Sequence, residues 1–116
     1  MVKDAKIEFV TFVVDQLQGV GPVQAKRMFG GHGLFLGDIM FALISGQTLY
    51  LKFDAQSEPA FVARGLEPFT IQRQGKRIAM SYRQAPEEVF EDPEQMMAWG
   101  NEAYAAALRA SRSGKR

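Results

Sequence analysis

A chain of 116 residues without a single cysteine can form no disulfide, thiol nucleophile or cysteine metal site, and it is the right size for one domain with its own hydrophobic core. At 47% hydrophobic and 23% charged residues it lies well outside the disordered range, and no apolar run approaches membrane-spanning length. The net charge of +1 is uneven: the last eight residues hold four basic groups and no acid, leaving ten basic against thirteen acidic in the rest, a net of −3.

These properties predict one domain over residues 1–108 and a basic, flexible tail over 109–116, read as a solvated end and not as a nucleic-acid arm. The first residues, Met1-Val2-Lys3-Asp4, lack the apolar core of a signal peptide, so the expected location is the cytoplasm.

From Asp4 to about Gln18, Phe9, Val10, Val13, Val14 and Leu17 recur at helical spacing, which predicts a first helix ended by Gly19, Gly21 and Pro22. Alternation over Val23–Phe29 predicts a short strand leading into Gly30-Gly31-His32-Gly33. Gly37-Asp38 and Ser45-Gly46-Gln47 then separate Leu34-Phe35-Leu36, Ile39-Met40-Phe41 and Thr48–Phe53 into an antiparallel meander. Simple alternation places Leu34, Leu36, Ile39, Phe41, Leu43, Leu49, Leu51 and Phe53 on the core face. Phe35, Met40, Ala42, Ile44 and Tyr50 fall on the other. That second face is too apolar to stand in water, so helices or another subunit must cover it.

Ser57-Glu58-Pro59 reads as the start of a short helix with Ser57 as its N-cap, closed by Gly65. A second hairpin follows, turning at Gln74-Gly75, with Phe69, Ile71, Ile78, Met80 and Tyr82 on one face. Thr70, Gln72, Arg77, Ala79, Ser81 and Arg83 lie on a wet one. Asp92-Pro93-Glu94-Gln95 opens a last helix to about Ala110. The fold class is therefore α+β, an antiparallel sheet packed with N- and C-terminal helices.

Candidates for chemistry are few. The glycine run has neither a dinucleotide fingerprint nor a Walker spacing and leads into a strand, so it reads as a bend and close-packing point. His32 is the one histidine and, alone, specifies no site; it reads as a loop side chain beside that bend. Glu87, Glu88, Glu91, Asp92 and Glu94 suit the dipole of the last helix better than a cation, and no metal or other cofactor is expected. Arg27, Lys26, Arg73, Lys76, Arg77 and Arg83 form the best candidate basic patch, although aromatic residues are poorly interleaved with them.

The stretch Arg27-Met28-Phe29-Gly30-Gly31 with Gly33-Leu34-Phe35 resembles the N-terminal domain of the TfoX/Sxy family of competence regulators, and so do Met40–Ile44, Leu49–Lys52, Met80-Ser81-Tyr82 and Pro86-Glu87. The resemblance runs from about Phe9 to Leu108. It implies a secretion-chaperone-like α+β fold, no catalytic residues, and a stand-alone domain without the helical second domain of two-domain members. Arg27, Met28, Phe29, Gly30, Gly31 and Gly33 are the family motif, with structural or interaction roles. The expected function is a regulatory or protein-interaction module acting in transcription regulation through a protein partner, such as a transcription regulator, or as a homodimer. Its candidate interaction face is Phe35, Met40 and Tyr50. The alternative is direct nucleic-acid binding through Arg27, Arg73, Lys76, Arg77 and Arg83.

Overall fold

Helical spacing of apolar residues and β alternation divide the chain into two layers, and the computed structural model, which describes residues 5–28 and 30–113, stacks them. Helix α1 (Ala5–Gln16) buries Val10 and Val13 and tightens into a 3₁₀ turn, Leu17–Gly19. The strands are β1 (Val23–Met28), β2 (Gly31–Leu36), β3 (Ile39–Ser45), β4 (Thr48–Lys52), β5 (Pro68–Arg73) and β6 (Lys76–Gln84). They form one antiparallel sheet in the order β1-β2-β3-β4-β6-β5. Between β4 and β5 lies α2 (Glu58–Ala63). A 3₁₀ turn (Glu87–Phe90) and the long helix α3 (Pro93–Ser113) close the chain. The α+β class, with an antiparallel sheet and N- and C-terminal helices, is as the sequence predicts.

The meander does not alternate as simple reading requires. Leu34 pairs with Ala42 but Phe35 pairs with Met40, so Phe41 is an extra residue in β3, a bulge that rotates the remainder of the strand by one position. Ala42 and Ile44, expected on the outer face, therefore join Leu34, Leu49 and Leu51 in the helix-side core, and Leu43, expected inside, moves to the outer face opposite Tyr50. Phe41 still points inward and meets the Tyr104 ring edge-on at 5.9 Å. The core is completed by Val13, Leu17, Phe61, Val89, Met96, Ala103 and Ala107.

Three further expectations need correction. Ser57 holds the N-cap position of α2 as expected, but its hydroxyl caps no helix N–H: Asp54 Oδ1 accepts the backbone N–H groups of Gln56 and Ser57 in the turn before the helix, while Ser57 Oγ accepts the N–H of Asp54. That reciprocal pattern is a capping box shifted three residues upstream. Arg83 pairs with Leu51 and Pro68 and is largely buried, so it does not belong to a wet face with Arg77. Arg109, counted with the tail, lies within α3, which continues to Ser113. Residues 114–116 of that predicted tail, and Phe29 of the family motif, lie outside the described residues.

Close packing explains two of the motif glycines. At Gly31 a Cβ would run into the backbone carbonyl of Ile44, and at Gly33 it would crowd the sulfurs of Met28 and Met40 and the ring of Phe35. Gly30 has φ of +73° but open space around it. The two kinds of glycine separate in a stability measurement. Gly31→Ala is expected to lower the unfolding free energy by about 1–3 kcal/mol through overpacking against backbone. Gly30→Ala should cost about 1 kcal/mol through its left-handed conformation alone. A urea midpoint for Gly31→Ala equal to that of the parent chain would rule out the close-approach account.

Candidate interaction surface

The sheet face away from the helices carries Phe35, Met40, Leu43, Tyr50 and Tyr82, brought together by the pairs Phe35–Met40 and Leu43–Tyr50 and by the adjacent strand β6. None of these five belongs to the helix-side core cluster. They close on one another instead. The Tyr50 and Phe69 rings lie 5.0 Å apart, and Tyr82 Oη donates to the carbonyl of Met40 at 3.5 Å. Met28 from β1 and Phe69 from β5, at opposite edges of the sheet, line one small cleft beside Leu43. The sheet therefore curls towards this face, which leaves Leu43 only 5% exposed and Tyr82 only 9% although no helix among the described residues covers them. Phe35, Met40, Tyr50 and Phe69 remain half-buried.

Two lysines border the apolar patch. Lys26 Nζ sits 4.7 Å from the centre of the Phe35 ring and Lys52 Nζ 5.2 Å from that of Tyr82, distances at which a cation is attracted to the ring face. Burial lowers the Lys52 pKa, opposed by the charge of Asp54, and burial also raises that of Tyr82. The patch thus combines aromatic rings, thioethers and cations. It can receive apolar side chains at its centre and acidic groups at its rim.

The basic candidates do not converge. Arg83 donates to the Leu66 carbonyl at 2.7 Å and to Glu58 Oε2 at 2.9 Å, with its guanidinium over the Phe53 ring. Arg27 lies on edge strand β1 beside its cross-strand partner His32, so the structure does bring those two together. Arg73, Lys76 and Arg77 cluster at the tip of the β5–β6 hairpin, which belongs to the opposite edge. His32, expected as a loop side chain, lies within strand β2 because it pairs with Arg27 and Ile44; its side chain is half-buried and makes no hydrogen bond or ion pair among the described residues. Also among the described residues, no group of three or more histidine and acidic side chains is placed to hold a metal ion, and no helix is long and apolar enough to cross a membrane.

A feature missed in the sequence joins α2 to α3. Arg109 donates from Nε to Asp54 Oδ2 at 2.6 Å and from Nη2 to Oδ1 at 3.1 Å, so the capping carboxylate is also clamped by the last helix. Beside it, Phe61 meets Trp99 edge-on at 5.1 Å, and a cleft of about 440 Å³ opens along Pro59, Ala60, Phe61, Ala98 and Trp99. The Asp54-x-x-Ser57 spacing was a legible cap signal, but its partner lies 55 residues away.

Residues 15–107 match the family model described as "TfoX N-terminal domain", which covers the whole sheet and most of α3. The chain belongs to the TfoX N-terminal domain family. It is 37% identical over 81 residues to the DNA transformation protein TfoX of Haemophilus influenzae, an alignment covering 69% of this chain and 36% of the relative. With the protein Sxy of Escherichia coli it shares 23% identity over 95 residues, 82% of this chain and 46% of that one. The chain therefore spans less than half the length of either relative.

The TfoX N-terminal match ends just short of Arg109, so the Asp54–Arg109 clamp straddles its boundary. Hydrogen bonds from Arg109, and then from Ser57, hold the Asp54 carboxyl at about 2, below its ordinary 3.8. Since the folded pKa lies below the unfolded one, the clamp stabilises the domain above about pH 4, and this contribution is lost as the pH falls towards 2. Urea midpoints should accordingly drop between pH 4 and pH 2 more steeply for the parent chain than for Asp54→Asn. Parallel profiles for the two would show that the clamp contributes nothing.

Proposed function

We propose that this domain is a non-enzymatic protein-interaction module of a regulator, working in the cytoplasm and seating a protein partner on the outer sheet face around Phe35, Met40 and Tyr50. The observation that carries this reading is the placement of that face: every helix packs on the other side of the sheet, and an aromatic and methionine patch bordered by Lys26 and Lys52 is left half-open. Rigid aromatic groups and adaptable thioethers are the side chains that form buried centres of protein interfaces.

Family membership supports a regulatory role, in line with the relative named as a DNA transformation protein. The rim lysines favour a partner with acidic groups around an apolar anchor, and a transcription regulator is the partner class we infer. A second copy of the chain is the competing occupant.

Affinity capture from the native cell, with nuclease treatment as a control, tests the reading. The captured partner should survive nuclease and bind purified chain directly. Met40→Glu should weaken that binding at least about tenfold, or about 1.4 kcal/mol, by placing an unpaired charge in the patch. Sedimentation of the purified chain shows whether the occupant is a second copy. A partner lost on nuclease treatment, or retained equally by a folded Met40→Glu chain, overturns the proposal.

A further inference from the structure

The β5–β6 hairpin outgrows the sheet. Strand β4 pairs with β6 only at Tyr82–Gln84, and Phe53 adds one bond to the Ser81 carbonyl. Beyond that point, among the described residues, Lys76–Met80 pairs with no strand but β5, so a two-stranded ribbon about 15 Å long projects from the body. Every residue from Gln72 to Ala79 is exposed, including Ile78. A ribbon bare on both faces gains little from its own fold and is marginal in water without a third layer.

Its chemistry is one-sided in charge. Residues 68–86 contain no aspartate or glutamate, and the tip reads Gln72-Arg73-Gln74-Gly75-Lys76-Arg77. The register pairs Arg73 with Lys76 and Gln72 with Arg77, and adjacent pairs in an antiparallel ladder point to opposite faces. Cations therefore stand on both faces of the ribbon. None of the three has an ion-pair partner among the described residues, whereas Arg64, Arg83 and Arg109 are paired with Glu88, Glu58 and Asp54.

We propose that this ribbon inserts into the major groove of duplex DNA, with Arg73, Lys76 and Arg77 on the phosphates and Gln72 and Gln74 towards base edges. The major groove admits a two-stranded antiparallel ribbon and lies between two rows of phosphates, so a ribbon entering it meets anions on both sides. A flat acidic protein surface would engage only one of its faces. Arginine, lysine and glutamine are also the side chains whose geometry suits guanine, phosphate and adenine. The inference excludes Arg27 and Arg83, the first because it lies on the opposite edge strand and the second because Glu58 and Leu66 hold it. It uses a surface separate from the partner face.

Fluorescence anisotropy with a labelled 20-base-pair duplex tests it. Binding should weaken with salt, log K against log [KCl] falling with a slope of about −2 to −3 for three phosphate contacts. The combined Arg73→Gln, Lys76→Gln and Arg77→Gln chain should lose at least about tenfold in affinity at low salt, and Arg77→Gln alone should reduce the slope by about one. Arg27→Gln should leave both unchanged, as should Met40→Glu, which separates this proposal from the partner reading. Melting by circular dichroism checks that the variants fold. The proposal is overturned by no duplex binding at low salt, by a combined variant that binds as tightly as the parent, or by tighter binding of a single strand. Tighter binding of polyglutamate would instead make the ribbon a contact for an acidic protein.

Discussion

The bulge at Phe41 governs the organisation of this domain. One additional residue in β3 keeps Phe41 in the core and turns Ala42 and Ile44 inward after it, so that two consecutive side chains of one strand are buried under α3. Without the extra residue, Ile44 would face outward and Leu43 inward, and the Leu34–Ala42–Leu51 row beneath the helices would break. A bulge also sharpens local twist. Here it accompanies the curl that brings Met28 and Phe69, from the two edges of the sheet, to one cleft beside Leu43. The outer face is consequently neither a flat apolar sheet awaiting a cover nor a second complete core. It is a shallow, self-supporting patch.

The glycine cluster serves the same geometry from the other side of the hairpin. Gly31 lets β2 begin against the Ile44 carbonyl, and Gly33 leaves room on the outer face for Met28, Met40 and Phe35 to converge. A comparable economy of side chain appears where α3 crosses the turn after α1: a Cβ on Gly100 would crowd Leu17 and Val20. Both helix–turn and strand–strand approaches are closer than side chains permit. Gly31 and Gly33 are thus spacing devices, and the outer patch is made by the residues they allow to meet.

Elements with strong local signals were legible in the sequence. The Gly37-Asp38, Gly46-Gln47 and Gln74-Gly75 turns, the Asp92–Pro93 helix start and the first strand all arise from turn chemistry and periodicity, which act over a few residues. The bulge was not legible because Ile39–Ile44 is apolar throughout, so no polar residue marks which side faces out. Nor was the fate of the arginines. A guanidinium in sequence looks the same whether it ends in water or, like Arg83, between Glu58, the Leu66 carbonyl and the Phe53 ring. Such assignments depend on contacts between distant segments, and a composition-based basic patch necessarily mixes the two kinds.

Sorting the cations by their partners changes the meaning of the charge balance. Arg64, Arg83 and Arg109 tie α2, β6 and α3 to acidic side chains around one corner, where they fix the loop after β4 and the approach of the last helix. Lys26 and Lys52 lean on aromatic rings of the outer face. Arg73, Lys76 and Arg77, by contrast, stand together at the hairpin tip with no ion-pair partner among the described residues, within a stretch that lacks acids altogether. A protein near neutrality can therefore present a locally cationic projection to solvent. What steers an encounter is that local field and not the net charge of the chain.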